Sequence, residues 1–178
     1  MTTSKKLTTG DVFPVINVNV LDGSSVELGK ARDNATWQMV VVYRGVHCPL
    51  CTRYLNQLED RKEALAELGV SVIAVSGDSK SQLEKHLESI NVSYPIAYGL
   101  TEEQMKELGL YISVPRSEKE TDHNFAEPGL FIVNEEGNLQ AIDISNAPLL
   151  RPELDIIVNG IKFVRSQPDY PIRGTLKY

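Results

Sequence analysis

Cysteine is nearly absent from this chain: its 178 residues include two. Two are too few for the disulfide framework of a secreted scaffold, which leaves redox or metal chemistry for them. Histidine is scarce as well. His47, His86 and His123 are scattered, so a zinc site built on the cysteines lacks two ligands and no metal is expected. Aromatic residues make up 7%, and 18 Lys and Arg face 24 Asp and Glu, a net charge of −6. With no basic block, neither nucleic acid nor an acidic lipid surface is an expected partner. The apolar runs are strand-sized, short of a membrane span. Met1-Thr2-Thr3-Ser4-Lys5-Lys6 is not followed by an apolar signal core, so a soluble, cytoplasmic protein is expected. What the chain does have is material for a core. It is 42% hydrophobic, which fits one domain over residues 1–178 with an extended tail at 167–178.

Both cysteines fall in Val46-His47-Cys48-Pro49-Leu50-Cys51, between an apolar run (Met39 to Tyr43) and a helical pattern. The first turn of a helix has unpaired N–H groups and the positive end of the dipole. A thiolate there is stabilised, and the thiol pKa falls from about 8.5 towards neutrality. The i, i+3 spacing brings the second sulfur within reach of a disulfide or sulfenic acid on the first. Two buried, inert thiols are the plain alternative, but a strand-to-helix junction favours redox use. His47 is placed to raise the local positive potential, and equally to be an ordinary loop residue. Arg44 is placed to hold a thiolate or peroxide, or to form a surface ion pair. Pro49 suits a first helical turn whatever the chemistry.

The rest of the chain reads as alternating elements. Phe13 to Val20 and Val26-Glu27-Leu28 flank a turn at Leu21-Asp22-Gly23-Ser24, a hairpin signal. Trp37 to Tyr43 and Val70 to Val75 are uninterrupted apolar runs, as in strands buried on both faces. Leu50, Tyr54, Leu55, Leu58, Leu65 and Leu68 predict one helix from Pro49 to Leu68, stopped by Gly69. A helix follows Ser76-Gly77-Asp78-Ser79, with capping-box spacing at Ser81 and Glu84. A strand is expected around Tyr94 to Ala97, a helix over Thr101 to Leu108, and a solvated polar excursion over Ser113 to Glu127. Leu130 to Val133 and Leu139 to Ile144 make a second hairpin, and a last helix opens at Pro152. The order predicts parallel strands first and antiparallel strands later.

These residues, in this order, resemble the AhpC/TSA peroxiredoxin-like family of the thioredoxin fold. The likeness rests on Gly10-Asp11-Val12-Phe13-Pro14, the Cys48–Cys51 motif, Ser76-Gly77-Asp78-Ser79, Tyr94-Pro95-Ile96 and the hairpin from Pro128 to Gly137. It implies an α/β fold with a central mixed sheet flanked by helices and an N-terminal hairpin extension. The motif departs from the usual pattern. Where peroxiredoxins carry Pro-x-x-x-Thr-x-x-Cys, ungapped placement puts the reactive cysteine on Cys51, the Thr on Cys48 and the Pro on Arg44. The family Arg before the hairpin falls on Pro128, where thioredoxins have a cis proline beside the sulfurs, so a cis Pro128 is expected. The chain thus resembles the subgroup with a Cys-Pro-x-Cys site.

Two chemistries follow from the resemblance. In the peroxidase mode Cys51 meets peroxide and Cys48 resolves its sulfenic acid. In the thioredoxin mode Cys48 attacks a protein disulfide and Cys51 resolves the mixed disulfide. Both end in a Cys48–Cys51 disulfide, with no organic cofactor. Arg44 and Arg53 are candidates to replace the missing cation and hydroxyl. The implied partners are a peroxide or disulfide substrate, a thioredoxin- or glutaredoxin-type reductant or glutathione, and a second copy in a homodimer. A redox-sensing binding module without turnover is the alternative function, and an inert thioredoxin-like scaffold a third.

Overall fold

The computed structural model describes residues 7–177; Met1 to Lys6 and Tyr178 lie outside the described residues. Strands β1 (Asn17–Val20) and β2 (Ser25–Glu27) form the leading hairpin, with Val18 opposite Val26. Next come β3 (Trp37–Val42), α1 (Pro49–Glu59), α2 (Lys62–Glu67), β4 (Val70–Val75), α3 (Lys80–His86), β5 (Ile96–Tyr98) and α4 (Glu102–Glu107). The chain closes with β6 (Ile112–Ser113), β7 (Phe125–Ala126), β8 (Gly129–Val133), β9 (Leu139–Ile144) and α5 (Leu154–Arg165). Seven strands form one mixed sheet in the order β2-β1-β5-β4-β3-β8-β9. β3, β4 and β5 are parallel neighbours, whereas β1, β8 and β9 join antiparallel. This is the thioredoxin-like arrangement, with the hairpin extending the β5 edge.

The alternation of side chains across the sheet assigns the core. Met39, Val41, Val72, Ala74, Leu130 and Ile132 face α1, α2, α3 and α5. Val40, Val42, Ile73, Val75, Phe131 and Val133 face α4 and the N-terminal segment. Every residue of β3 is buried, because helices or chain segments cover both faces. Among the described residues no helix is long and apolar enough to cross a membrane.

Several sequence expectations shift. The helix predicted from Pro49 to Leu68 breaks in two at Asp60 and Arg61, where the Arg61 N–H turns back to the Leu58 carbonyl. The apolar stripe skips from Leu58 to Leu65, so no buried contact holds the intervening turn in register. Gly69, at φ +72°, ends α2. The capping box of α3 lies at Ser79 and Gln82, two residues before the predicted pair. The last helix starts at Leu154, behind Glu153 as N-cap. The polar excursion is anchored at its ends, where β6 pairs with β7 and Phe125, Ala126 and Glu127 are buried. Among the described residues every peptide bond is trans, Pro128 included. The Glu127 N–H donates to the Tyr111 carbonyl and the Pro128 carbonyl accepts from Ser145 N–H, so the chain runs extended from β7 into β8. Extended trans geometry is the ordinary X–Pro conformation.

Candidate active site

Three parallel strands end side by side, and the segments leaving their carboxyl ends build the site, the usual place for one in such sheets. After β3 the chain passes through Tyr43 to His47 and enters α1 at Cys48. Cys48 is the N-cap in an extended conformation, and Pro49 is the first helical residue. The Cys51 N–H donates to Cys48 Sγ at 3.2 Å, so sulfur occupies the capping position usually held by an oxygen. The first turn of α1 has no acidic residue, which leaves the dipole un-neutralised beside the sulfurs. Cys48 and Cys51 are joined as a disulfide, and both are buried.

The loop before Cys48 is held from below. Asp78, fully buried after β4, accepts the Val46 N–H at 2.7 Å. Gly45 sits at φ +138°, and a Cβ there would run into the Asp78 carboxylate. Only glycine allows this approach and this backbone angle. Burial pushes the Asp78 carboxyl above its usual pKa, against the Val46 hydrogen bond and His123. His123 Nε2 stands 3.6 Å from Asp78 Oδ1, and its Nδ1 meets Asp122. Thr52, one turn into α1, contacts His86 Nε2 at 2.8 Å and donates to the Cys48 carbonyl.

The structure separates the predicted supporting residues. Arg44 turns to carboxylates: Nε is 3.2 Å from Glu127 and Nη2 3.8 Å from Glu120, with the guanidinium over the Phe125 ring. His47 lies against the same ring, 4.5 Å between centroids, and neither of its nitrogens has a partner. Burial, with help from Arg44, pushes the His47 pKa down to about 4. His47 is therefore neutral near pH 7 and lends no positive charge to the sulfurs, unlike the role its position in sequence offered. Arg53 is exposed on α1.

The cation at the sulfurs is Arg151, in the loop before α5. Its Nη2 lies 3.6 Å from Cys51 Sγ and 3.4 Å from the Val42 carbonyl. The guanidinium lies over the Tyr54 ring, 4.7 Å from the centroid, and the Tyr54 hydroxyl donates to the Pro152 carbonyl. Sequence reasoning missed Arg151. One hundred positions separate it from Cys51, and a cation before a proline and a helix carries no local mark of a site. The resemblance held the only usable signal, a family arginine missing from its expected place.

A thioredoxin-like sheet that delivers a dithiol pair to a helix start defines a thiol-dependent oxidoreductase, cycling between dithiol and Cys48–Cys51 disulfide. The AhpC/TSA family model matches residues 9–142, and the chain belongs to that family. It is similar to alkyl hydroperoxide reductase C of Escherichia coli K12, 24% identical over 159 residues that cover 88% of this chain and 83% of the relative. The putative peroxiredoxin YkuU of Bacillus subtilis is 28% identical over 125 residues, 65% of this chain and 63% of the relative. Among solved structures, a peroxiredoxin-like protein from Aquifex aeolicus superposes with a TM-score of 0.73 at 21% identity, covering 89% of this chain and 88% of that one. A reduced 2-Cys peroxiredoxin of Plasmodium vivax gives 0.71 at 16%, covering 93% and 86%.

Proposed function

We propose that the protein reduces peroxides, with Cys51 as the sulfur that meets the oxidant and Cys48 as the one that resolves it. The observation that carries this reading is the Arg151 guanidinium 3.6 Å from Cys51 Sγ. A cation there favours the thiolate and offers a preorganised donor to the oxygen that leaves. In the first step the Cys51 thiolate attacks a peroxide oxygen. An S–O bond forms, the O–O bond breaks, and the departing alkoxide or hydroxide takes a proton. Cys48 then attacks the Cys51 sulfenic acid, forming the S–S bond and releasing water. Two thiols of a reductant return the electrons and leave as a disulfide. Burial of both sulfurs favours a small peroxide over a folded protein disulfide as oxidant.

The same reading includes the Cys-Pro-x-Cys subgroup, one domain over residues 1–178, a cytoplasmic location, a homodimer, and thioredoxin, glutaredoxin or glutathione as reductant. The test is stopped-flow oxidation by one equivalent of hydrogen peroxide. Cys48→Ser should accumulate a dimedone-reactive sulfenic acid, and Cys51→Ser should react no faster than a free thiol. The reverse pattern would transfer the first step to Cys48. If neither variant outpaces a free thiol, the peroxidase reading falls. Disulfide exchange through Cys48 is the second reading, favoured by its Sγ at the α1 cap. A sensing module is excluded once a reductase recycles the oxidised protein many times.

A further inference from the structure

We propose that the C-terminal tail is a strap that guards the open edge of β9 and keeps it from pairing with β9 of a second copy. The inference goes beyond the cysteine chemistry and depends on none of it. The mixed sheet ends in β2 on one side and β9 on the other. β2 is three residues long, and a strand that short is a poor template for another. β9 is six residues long, contains neither proline nor lysine, and carries Asp143 as its single charge. The N-terminal segment covers only its first end, where the Gly10 N–H donates to the Leu139 carbonyl and the Leu139 N–H to the Asp11 carbonyl. Past the irregularity opposite Ile132 and Val133, β9 pairs regularly with β8 from Ala141 to Ile144. Among the described residues, no backbone hydrogen bond reaches Gln140 to Ile144 from the outer side. An unpaired edge of this kind recruits other strands.

The tail crosses that stretch without joining the sheet. Tyr170 and Arg173 line the cavity between β9 and α5, and Arg173, Leu176 and Lys177 line the one on the opposite face. Arg173 therefore stands at the outer edge of the strand, beside Gln140, Ala141 and Ile142, which line both cavities with it. Pro168 and Pro171 have no N–H to give, and Gly174, at φ +76°, leaves the extended conformation. The tail thus blocks the edge by position and cannot extend the sheet itself. Its fastenings are few. The Tyr170 ring meets Phe163 of α5 edge-on at 5.5 Å, the Thr9 hydroxyl donates to the Arg173 carbonyl at 2.5 Å, and Lys177 Nζ lies 3.0 Å from Asp11. Exposed contacts of this kind hold weakly, so the strap can be displaced. The strand itself identifies the partner that the strap excludes. A two-fold axis at Ile142 sets Ile142 against its own copy, Asp143 against Ala141 and Ile144 against Gln140, so no like charges meet across the pair. Ile156 on α5, 67% exposed in the wall of the first cavity, extends the apolar surface beside that edge.

The experiment compares the full chain with one ended at Ser166, by sedimentation equilibrium across micromolar concentrations and by hydrogen exchange. Loss of the strap should double the particle mass relative to the full chain, in a concentration-dependent way. The same concentrations should slow exchange in peptides that span Gln140 to Ile144. Should the shortened chain fail to fold, Asp11→Lys combined with Thr9→Val in the full chain unfastens the far end of the strap and should shift the mass in the same direction. An unchanged mass in the folded variants overturns the proposal. So does a doubled mass with exchange at Gln140 to Ile144 unaltered, because the copies would then meet on another face. A full chain whose Gln140 to Ile144 stretch is already protected by association overturns it too, since the strap would guard nothing.

Discussion

His47 shows what a single titratable residue can cost a fold in acid. In the unfolded chain its imidazole takes a proton near pH 6.5. In the folded protein it does so only near pH 4, because burial and Arg44 disfavour the charge. Between these values the unfolded state binds more protons, so stability rises with pH and is lost as pH falls. His86, fully buried with a lowered pKa, acts in the same direction, whereas the raised carboxyl of Asp78 opposes it. Solvent reaches part of His47, so its share is about 1 kcal/mol after screening rather than the full shift. Urea melts at about pH 7 and about pH 4.5 should show His47→Gln losing less stability between the two than the wild type, by roughly that amount. Equal losses would mean His47 is not held neutral. Sequence reasoning located His47 beside Cys48 but had no access to the ring of Phe125 that buries it. Arg151 was illegible for a related reason. Its role comes from the loop before α5 folding onto the end of β3 and the first turns of α1, not from its neighbours Leu150 and Pro152.

At the level of elements, the strands were the most legible, since an apolar run without alternation has few alternatives to a doubly covered strand. Trp37 to Val42 and Val70 to Val75 came through with their boundaries almost unchanged. Helix ends were less so, and at α3 two serines compete for the cap. Ser81 and Glu84 have the right spacing for α3, yet Ser79 is the residue with extended backbone, and its Oγ accepts the Gln82 N–H while Gln82 returns a bond to the Ser79 N–H. The spacing rule applied twice in six residues, and backbone geometry chose between the two. Ser79→Ala should therefore cost about 1 kcal/mol in chemical denaturation, and Ser81→Ala only a few tenths. A reversal of that ranking would put the helix start back at the predicted position. The break between α1 and α2 was invisible to periodicity because Leu58 and Leu65 are seven residues apart, a spacing that one continuous helix would also satisfy.

Across the whole molecule, the turns after β3 and β4 and the segment from Ser113 to Glu127 meet around one buried carboxylate. Asp78 accepts the Val46 N–H just before the cysteines, fills the space that Gly45 leaves open, and faces His123 from the excursion. The sequence marked Asp78 only as part of a turn motif, and the excursion only as polar. Their contact depends on β6 and β7 pinning its two ends. Asp78→Ala leaves a Val46 N–H without its acceptor and His123 without a facing carboxylate, so a loss of about 2–3 kcal/mol is expected. The effect should be local as well as global. Hydrogen exchange should accelerate at Val46 and Cys48, while the amides of β3 that pair with β4 change only with overall stability. Asp78→Asn retains an acceptor oxygen and should recover most of the Val46 protection, since the hydrogen bond needs no charge to form. If Asp78→Ala leaves exchange at Val46 unchanged, the cysteine loop is held by its own turn, the Cys48 N–H to Gly45 carbonyl bond, and the carboxylate beneath it contributes only packing.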